Sequence, residues 1–199
     1  MELVEVLGFV SGAVCVWLAV RENLWTFPVG LANNVLFLAL FASSGLYANA
    51  ALQVVYLVLG ALGWWWWLRG GTAGRALVVR RTPRWAWPVA GATSLLLTVL
   101  LTAALSRWTD STVPFMDALT TALSLVAQTM LGRKWLGNWA VWVLADVLLV
   151  QLYAGQELWL TAVLYAGFIG LCFAGLRRWL AVLRVGAAPA AAGVPAVVR

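Results

Sequence analysis

The sequence predicts an all-α polytopic membrane protein: seven transmembrane helices laid out as a 3+1+3 parallel internal repeat. Three observations carry this reading. Hydrophobic residues make up 64% of the 199-residue chain and charged residues 10%, and the mean hydropathy is +0.92. A soluble domain is about half apolar and about a quarter charged, so this chain cannot clothe a water-facing surface. Seven segments approach the roughly 20 apolar residues that cross a bilayer. The chain also matches itself without gaps at an offset of 112 residues. A disordered chain and a soluble enzyme are both excluded by the charge deficit.

The segments run over residues 3–20, 25–43, 47–68, 85–105, 113–132, 135–153 and 158–179. The second and third are parted by Ser44-Gly45-Leu46, and the sixth and seventh by Ala154-Gly155-Gln156-Glu157, breaks short enough to make antiparallel neighbours. Glu2 and Glu5 flank the first segment, opposite in sign to a secretory leader, so it is expected to remain as a span. The fourth segment follows a loop rich in Arg. Residues 186–198 (GAAPAAAGVPAVV) are small and proline-containing and are expected to be disordered.

Charge sorts the two membrane faces. In a seven-span chain twelve of the thirteen Lys and Arg residues fall on one side, from Arg21 through Arg69–Arg84, Arg133 and Lys134 to Arg177–Arg199, and Arg107 falls on the other. The basic side is expected to be cytoplasmic, placing the N-terminus outside and the C-terminus inside. The net charge of +6 is thus spread over juxtamembrane loops, where lipid headgroups account for it and nucleic acid is not needed.

The self-match places Arg21 over Arg133, Leu24 over Leu136, Val35-Leu36 over Val147-Leu148, Ala50 over Ala162, Gly63 over Gly175 and Trp67 over Trp179. About a dozen identities fall in residues 21–67, where on the order of four are expected by chance. The organisation read from it is 1–68 as a first three-helix repeat, 69–112 as a basic cytoplasmic loop and linker helix, 113–180 as a second repeat, and 181–199 as a tail. An odd number of spans inverts the next copy, and the single linker restores a parallel orientation. Parallel repeats with a solute site at mid-membrane are a recurring transporter plan.

Polar groups inside a bilayer face a cavity or a partner. The fifth span carries Asp117, Thr121, Ser124 and Gln128 on one helical face. The sixth carries Asn138, Trp139, Trp142, Asp146 and Tyr153; the seventh Thr161, Tyr165 and Phe168; the third Gln53 and Tyr56; the second Asn33 and Asn34. Asp146 lies near mid-depth, where an isolated carboxylate must be neutral, paired or wetted. Ser94, Thr98 and Thr102 of the fourth span read as interhelical glue, Gly60 and Gly63 as a close helix contact, and Trp64–Trp67 before Arg69 as an interfacial aromatic belt.

The available chemistry is amides, hydroxyls, one or two carboxylates and aromatic faces. It suits a small heteroaromatic solute bearing a sugar, neutral or cationic. It suits a free phosphate poorly, since no basic residue lies within the spans. The chain has no His, no GxxxxGK[ST] phosphate loop and no nucleophile–His pair, so neither ATP-driven pumping nor enzymatic chemistry is expected. Nor is a sequence-local metal or cofactor site. The two cysteines, Cys15 and Cys172, sit in apolar runs and read as small packing residues, not a disulfide.

NLWTFPVGLANN (23–34), LYANAALQVVY (46–56), GWWWW (63–67), LVAQTMLGRKWLGNWAVWVLAD (125–146), LWLTAVLYAGF (158–168) and GLRRW (175–179) resemble the PnuC family of nicotinamide riboside transporters. The resemblance covers most of residues 1–180. It implies a seven-span 3+1+3 fold, SWEET-like through full-length duplication, and a homotrimer in the bacterial inner membrane. It also implies facilitated diffusion of nicotinamide riboside, trapped inside by a cytosolic nicotinamide riboside kinase. Site roles transfer to Asn34, Gln53, Gln128, Asn138, Trp139, Trp142, Asp146 and Tyr165. The pyridinium would stack on Trp139 or Trp142, and Asn138, Gln128 and Gln53 would hydrogen-bond the carboxamide and ribose. Asp146 would either offset the ring charge or fix Asn34. Relatives of the same family that carry riboflavin or thiamine leave those substrates as the alternative. A membrane binding subunit that needs a partner to act is a second alternative.

Overall fold

The computed structural model describes residues 3–45, 47–109 and 112–186. Seven α-helices lie among them: α1 (Leu3–Val20), α2 (Thr26–Ser43), α3 (Tyr47–Arg69), α4 (Ala86–Trp108), α5 (Pro114–Gly132), α6 (Asn138–Gly155) and α7 (Trp159–Gly186). Helices follow from the apolar runs, because a backbone in lipid must satisfy its own hydrogen bonds. The prolines respect this: Pro114 opens α5, and Pro28 and Pro88 sit in the first turns of α2 and α4, where no intrahelical N–H is required. Six helices match the expected segments to within about three residues at either end. α7 runs two turns further, so residues 181–186, expected to begin the tail, are helical. The remainder of that expected tail, 187–199, lies outside the described residues.

Seven apolar spans are expected, whereas five helices among the described residues are long and apolar enough to cross a membrane: α2, α4 and α6 over their full lengths, α3 from Asn49 and α7 to Val185. The apolar stretch of α1 covers the shorter Val10–Val20. α5 falls short because it is the most enclosed helix, packed against α3, α4 and α6. Its Thr120 and Ser124 are buried in protein and need no lipid-compatible surface.

Helix contacts form a closed circuit: α1 on α2, α2 on α3, α3 on α5, α5 on α6, α6 on α7, and α7 back on α1. α4 stands outside this ring against α5, with Ser94 and Thr98 buried and the Thr98 hydroxyl donating to the Ser94 carbonyl at 2.7 Å. The ring is drawn tight where α3 meets α5. A Cβ on Gly132 would stand 3.2 Å from the Gly63 Cα, so the two glycines let the backbones approach closely and a larger residue would crowd the contact.

The end of the bundle that carries the Arg and Lys clusters is sealed in three layers. Innermost is an aromatic plug. Phe27 and Trp67 meet edge to face at 5.0 Å, Trp139 and Trp179 do so at 5.3 Å, and Trp67 and Trp179 join the two pairs at 6.3 Å. Trp67 is therefore core, which corrects its expected place in an interfacial belt. Four consecutive helical residues point in four directions about 100° apart, so such a run cannot all face the headgroups; Trp65 is exposed and Trp67 is buried. Next is a salt bridge from Lys134 Nζ to Glu22 Oε2 at 2.9 Å. Outermost is the segment between α3 and α4, which straps across the seam. The Leu77 N–H donates to the Trp67 carbonyl and the Arg80 N–H to the Lys134 carbonyl, both at 3.0 Å. The Leu136 N–H returns to the Arg80 carbonyl at 3.0 Å. Gly137 N–H completes the dock on Thr82 Oγ1 at 2.7 Å, and Leu77 and Val79 are buried beneath.

Candidate functional site

Above the plug the ring encloses a chamber of about 330 Å³. Every ring helix contributes to its wall: Gly12, Cys15 and Ala19 from α1; Thr26, Phe27, Gly30, Asn33 and Asn34 from α2; Tyr56 and Gly60 from α3; Ser124 and Gln128 from α5; Trp139, Trp142 and Asp146 from α6; Tyr165, Phe168 and Cys172 from α7. α4 gives nothing. The helical periods explain this convergence. Trp142, Asp146 and Leu149 are spaced by 4 and 3 and share one face of α6; Ser124 and Gln128 share one face of α5.

A second cavity of about 780 Å³ lies on the side away from the basic end, lined by Tyr47, Gln53, Trp108, Asp117, Thr121 and Tyr153 among others. The two share Tyr56, Ser124, Leu149 and Tyr165, which form the partition between them. On this partition Tyr165 stacks on Tyr153 with centroids 5.4 Å apart and meets Phe168 edge to face at 5.7 Å. The α5 stripe of Asp117, Thr121, Ser124 and Gln128 thus runs along both cavities in turn.

Six of the eight expected site residues line the near chamber: Asn34, Gln128, Trp139, Trp142, Asp146 and Tyr165. Gln53 lines the far cavity instead, about one turn beyond the Tyr56 partition. Asn138 lies behind the wall. It is fully buried, its side-chain N–H donates to the Trp135 carbonyl at 2.7 Å, and its Oδ1 has no partner among the described residues. The chamber also holds residues not expected there. Cys15 and Cys172, read as packing residues, are free thiols on its wall. Cys15 Sγ donates to the Thr26 carbonyl at 3.2 Å, and Cys172 Sγ to Asp146 Oδ2 at 3.6 Å. The self-match carried a signal for one of them, since Cys172 aligns with Gly60 on the opposite wall.

The electrostatics are one-signed. Among the described residues lining the two cavities there is no Lys or Arg, while Asp146 faces the near chamber and Asp117 the far one. At the seal, Lys134 is held by Glu22 and its Nζ lies 4.3 Å from the Trp67 ring centroid. The Trp139 indole N–H is buried and has no partner among the described residues. No group of three or more metal-ligating side chains occurs among the described residues.

A ring of membrane helices around an axial chamber, closed at one end and parted by a thin aromatic wall from a second cavity at the other, is the architecture of a solute transporter. The family model described as Nicotinamide mononucleotide transporter matches residues 2–181, and the chain belongs to that family, one of transporters and not enzymes. The chain is similar to the nicotinamide riboside transporter PnuC of Escherichia coli (strain K12), 27% identical over 90% of this chain and 86% of that one. It is also similar to the riboflavin/roseoflavin transporter RibM of Streptomyces davaonensis, 28% identical over 96% of this chain and 91% of that one. A crystal structure of the vitamin B3 transporter PnuC shares the fold, with a TM-score of 0.68 over 90% of this chain and 81% of that chain at 22% identity.

Proposed function

We propose that the protein takes up nicotinamide riboside by facilitated diffusion across the bacterial cytoplasmic membrane. The observation that carries this reading is the near chamber itself. Indole, phenol and amide groups surround a space at the small end of the roughly 300–1,000 Å³ usual for small-molecule sites, and among the described residues no cation lines it. Trp139 and Trp142 supply ring faces for the pyridinium, and Asn34 and Gln128 supply hydrogen bonds to the carboxamide and ribose. The missing cation favours the riboside over its phosphorylated form, although the family's description names the mononucleotide. The similarity to the Escherichia coli riboside transporter points the same way.

The 3+1+3 plan, SWEET-like in its duplication, is part of this proposal. Its support is the contact circuit, which maps onto itself when α1, α2 and α3 are exchanged for α5, α6 and α7. Alternating access then consists of one three-helix unit rocking against the other about the chamber. The sealed basic end is assigned to the cytoplasm, with the N-terminus outside, on the charge asymmetry. A homotrimer, and a cytosolic nicotinamide riboside kinase that traps the product, complete the proposal. The site assignment of Gln53 becomes a role in the entry cavity, and that of Asn138 a supporting role behind Trp139.

The test is uptake of labelled riboside into proteoliposomes with no gradient applied, with riboflavin and thiamine as competitors. Equilibration blocked only by the riboside supports the reading. Uptake of riboflavin instead supports a second reading, favoured by the similarity to RibM over nearly the whole chain. Binding without equilibration would overturn both in favour of a binding subunit.

A further inference from the structure

Asp146, the one carboxylate among the described residues that line the chamber, has more to do than line a wall. Asp146 sits one turn after Trp142 on α6 and is 4% exposed, yet it faces the chamber. Its hydrogen bond comes from the Cys172 thiol at 3.6 Å and not from Asn34, which lines the chamber from α2. A thiol is a weak donor and brings no positive charge. The basic residues near the plug are engaged elsewhere, Lys134 with Glu22 and Arg133 over the Trp66 ring at 4.1 Å. A buried carboxylate left without a cation is costly, and one supplied by a ligand would be strongly held. The indole faces of Trp139 and Trp142 share the chamber, and aromatic faces also attract cations.

We propose that Asp146 is a charge-selecting residue: it makes the chamber prefer a planar heteroaromatic ring bearing a fixed positive charge over a neutral ring of the same shape. This rests on the riboside reading and deepens it by naming the residue that discriminates. It also predicts exclusion of neutral flavins by charge as well as by size.

The test uses a matched pair, nicotinamide riboside and its 1,4-dihydro form, which keeps the sugar and carboxamide and loses the ring charge. Equilibrium binding of each is measured on the purified full chain, wild type, Asp146→Asn and Asp146→Glu. The wild type is expected to favour the cationic form by about tenfold or more. Asp146→Asn is expected to bring the two forms to within roughly twofold by weakening the cation alone, and Asp146→Glu to keep the preference. Equal wild-type affinities overturn the proposal, which decides the matter even if Asp146→Asn does not fold. An unchanged preference in folded Asp146→Asn, or an equal loss for both forms, also overturns it. A wild type that binds neither form but binds thiamine, and loses it in Asp146→Asn, overturns the riboside reading and sustains charge selection. One that binds riboflavin alone overturns both.

Discussion

Glu22 and Lys134 are joined by a 2.9 Å salt bridge, and they are 112 residues apart, the offset at which the sequence matches itself. Each occupies the same unusual backbone state, with φ of 54° and 51°. Two turns with matching conformation thus meet face to face, with side chains of opposite charge at the matching position. The aromatic plug repeats the theme. Phe27, Gly63 and Trp67 on one side correspond at this offset to Trp139, Gly175 and Trp179 on the other, each set with one edge-to-face pair.

Breaking the bridge loosens the seal. Lys134 is 7% exposed, so Glu22→Gln leaves a nearly buried ammonium without its carboxylate. The expected loss is about 2 kcal/mol, below the usual figure for a fully buried pair because Glu22 is partly wetted. The reversed pair Glu22→Lys/Lys134→Glu recovers part of it. Thermal unfolding in detergent measures both, and equal midpoints for the single and the reversed variant would argue against the pair as the cause.

The plug glycines admit no methyl group. A Cβ at Gly175 would stand 2.5–2.6 Å from three atoms of the Trp139 ring, and one at Gly63 2.8 Å from Phe27. Gly175→Ala is expected to destabilise by about 1–3 kcal/mol and to weaken riboside binding, because Trp139 is a chamber wall. Gly91→Ala, which meets nothing within 4 Å, is expected to stabilise α4 slightly. A neutral Gly175→Ala would contradict the packing seen here.

The strap is held by buried side chains as well as backbone bonds. Leu77→Ala is expected to remove about 2–4 kcal/mol of local packing. Trypsin then cuts at Arg75, Arg80 or Arg81 faster than in the wild type, while Val78→Ala, at an exposed position, leaves the rate unchanged. Time courses on gels read this directly.

The two cavities separate binding from entry. Trp142→Ala with Gln128→Ala is expected to lower equilibrium riboside affinity by tenfold or more, roughly what losing a stacked ring and a buried hydrogen bond costs. Gln53→Ala is expected to slow uptake while leaving affinity within about twofold, since Gln53 lies beyond the partition. Trp65→Ala, at an exposed position on α3, changes neither. Affinity unaffected by the Trp142/Gln128 pair would sink the site.

Most helix positions were legible because a bilayer demands long apolar runs, and a run announces itself. α5 shows the limit: a helix surrounded by protein escapes that demand, so its stripe of Asp117, Thr121, Ser124 and Gln128 makes it look less like a span. The same stripe identified the cavity-facing side of α5. Period reports which face a residue takes, but neither its depth along the axis nor its neighbour. Hence neither the place of Gln53 on the far cavity nor that of Asn138 behind the wall beside Trp139 is written in the period. Trp67 was misread because four adjacent indoles look alike in sequence, and their directions differ only once the helix is built. Cys172 gave no sign of its partner Asp146, 26 residues away on the next helix.

The strap sets a distance. Leu77 is bonded to α3 through Trp67, and Arg80 to the α5–α6 turn through Lys134 and Leu136. Three peptide units separate these anchors, and a fully extended chain of that length reaches about 11 Å. The two sides of the seam can therefore part at this end only as far as that tether allows, unless one anchor lets go. A passage cut to the width of a nucleoside and no wider would need no further gatekeeper against larger solutes.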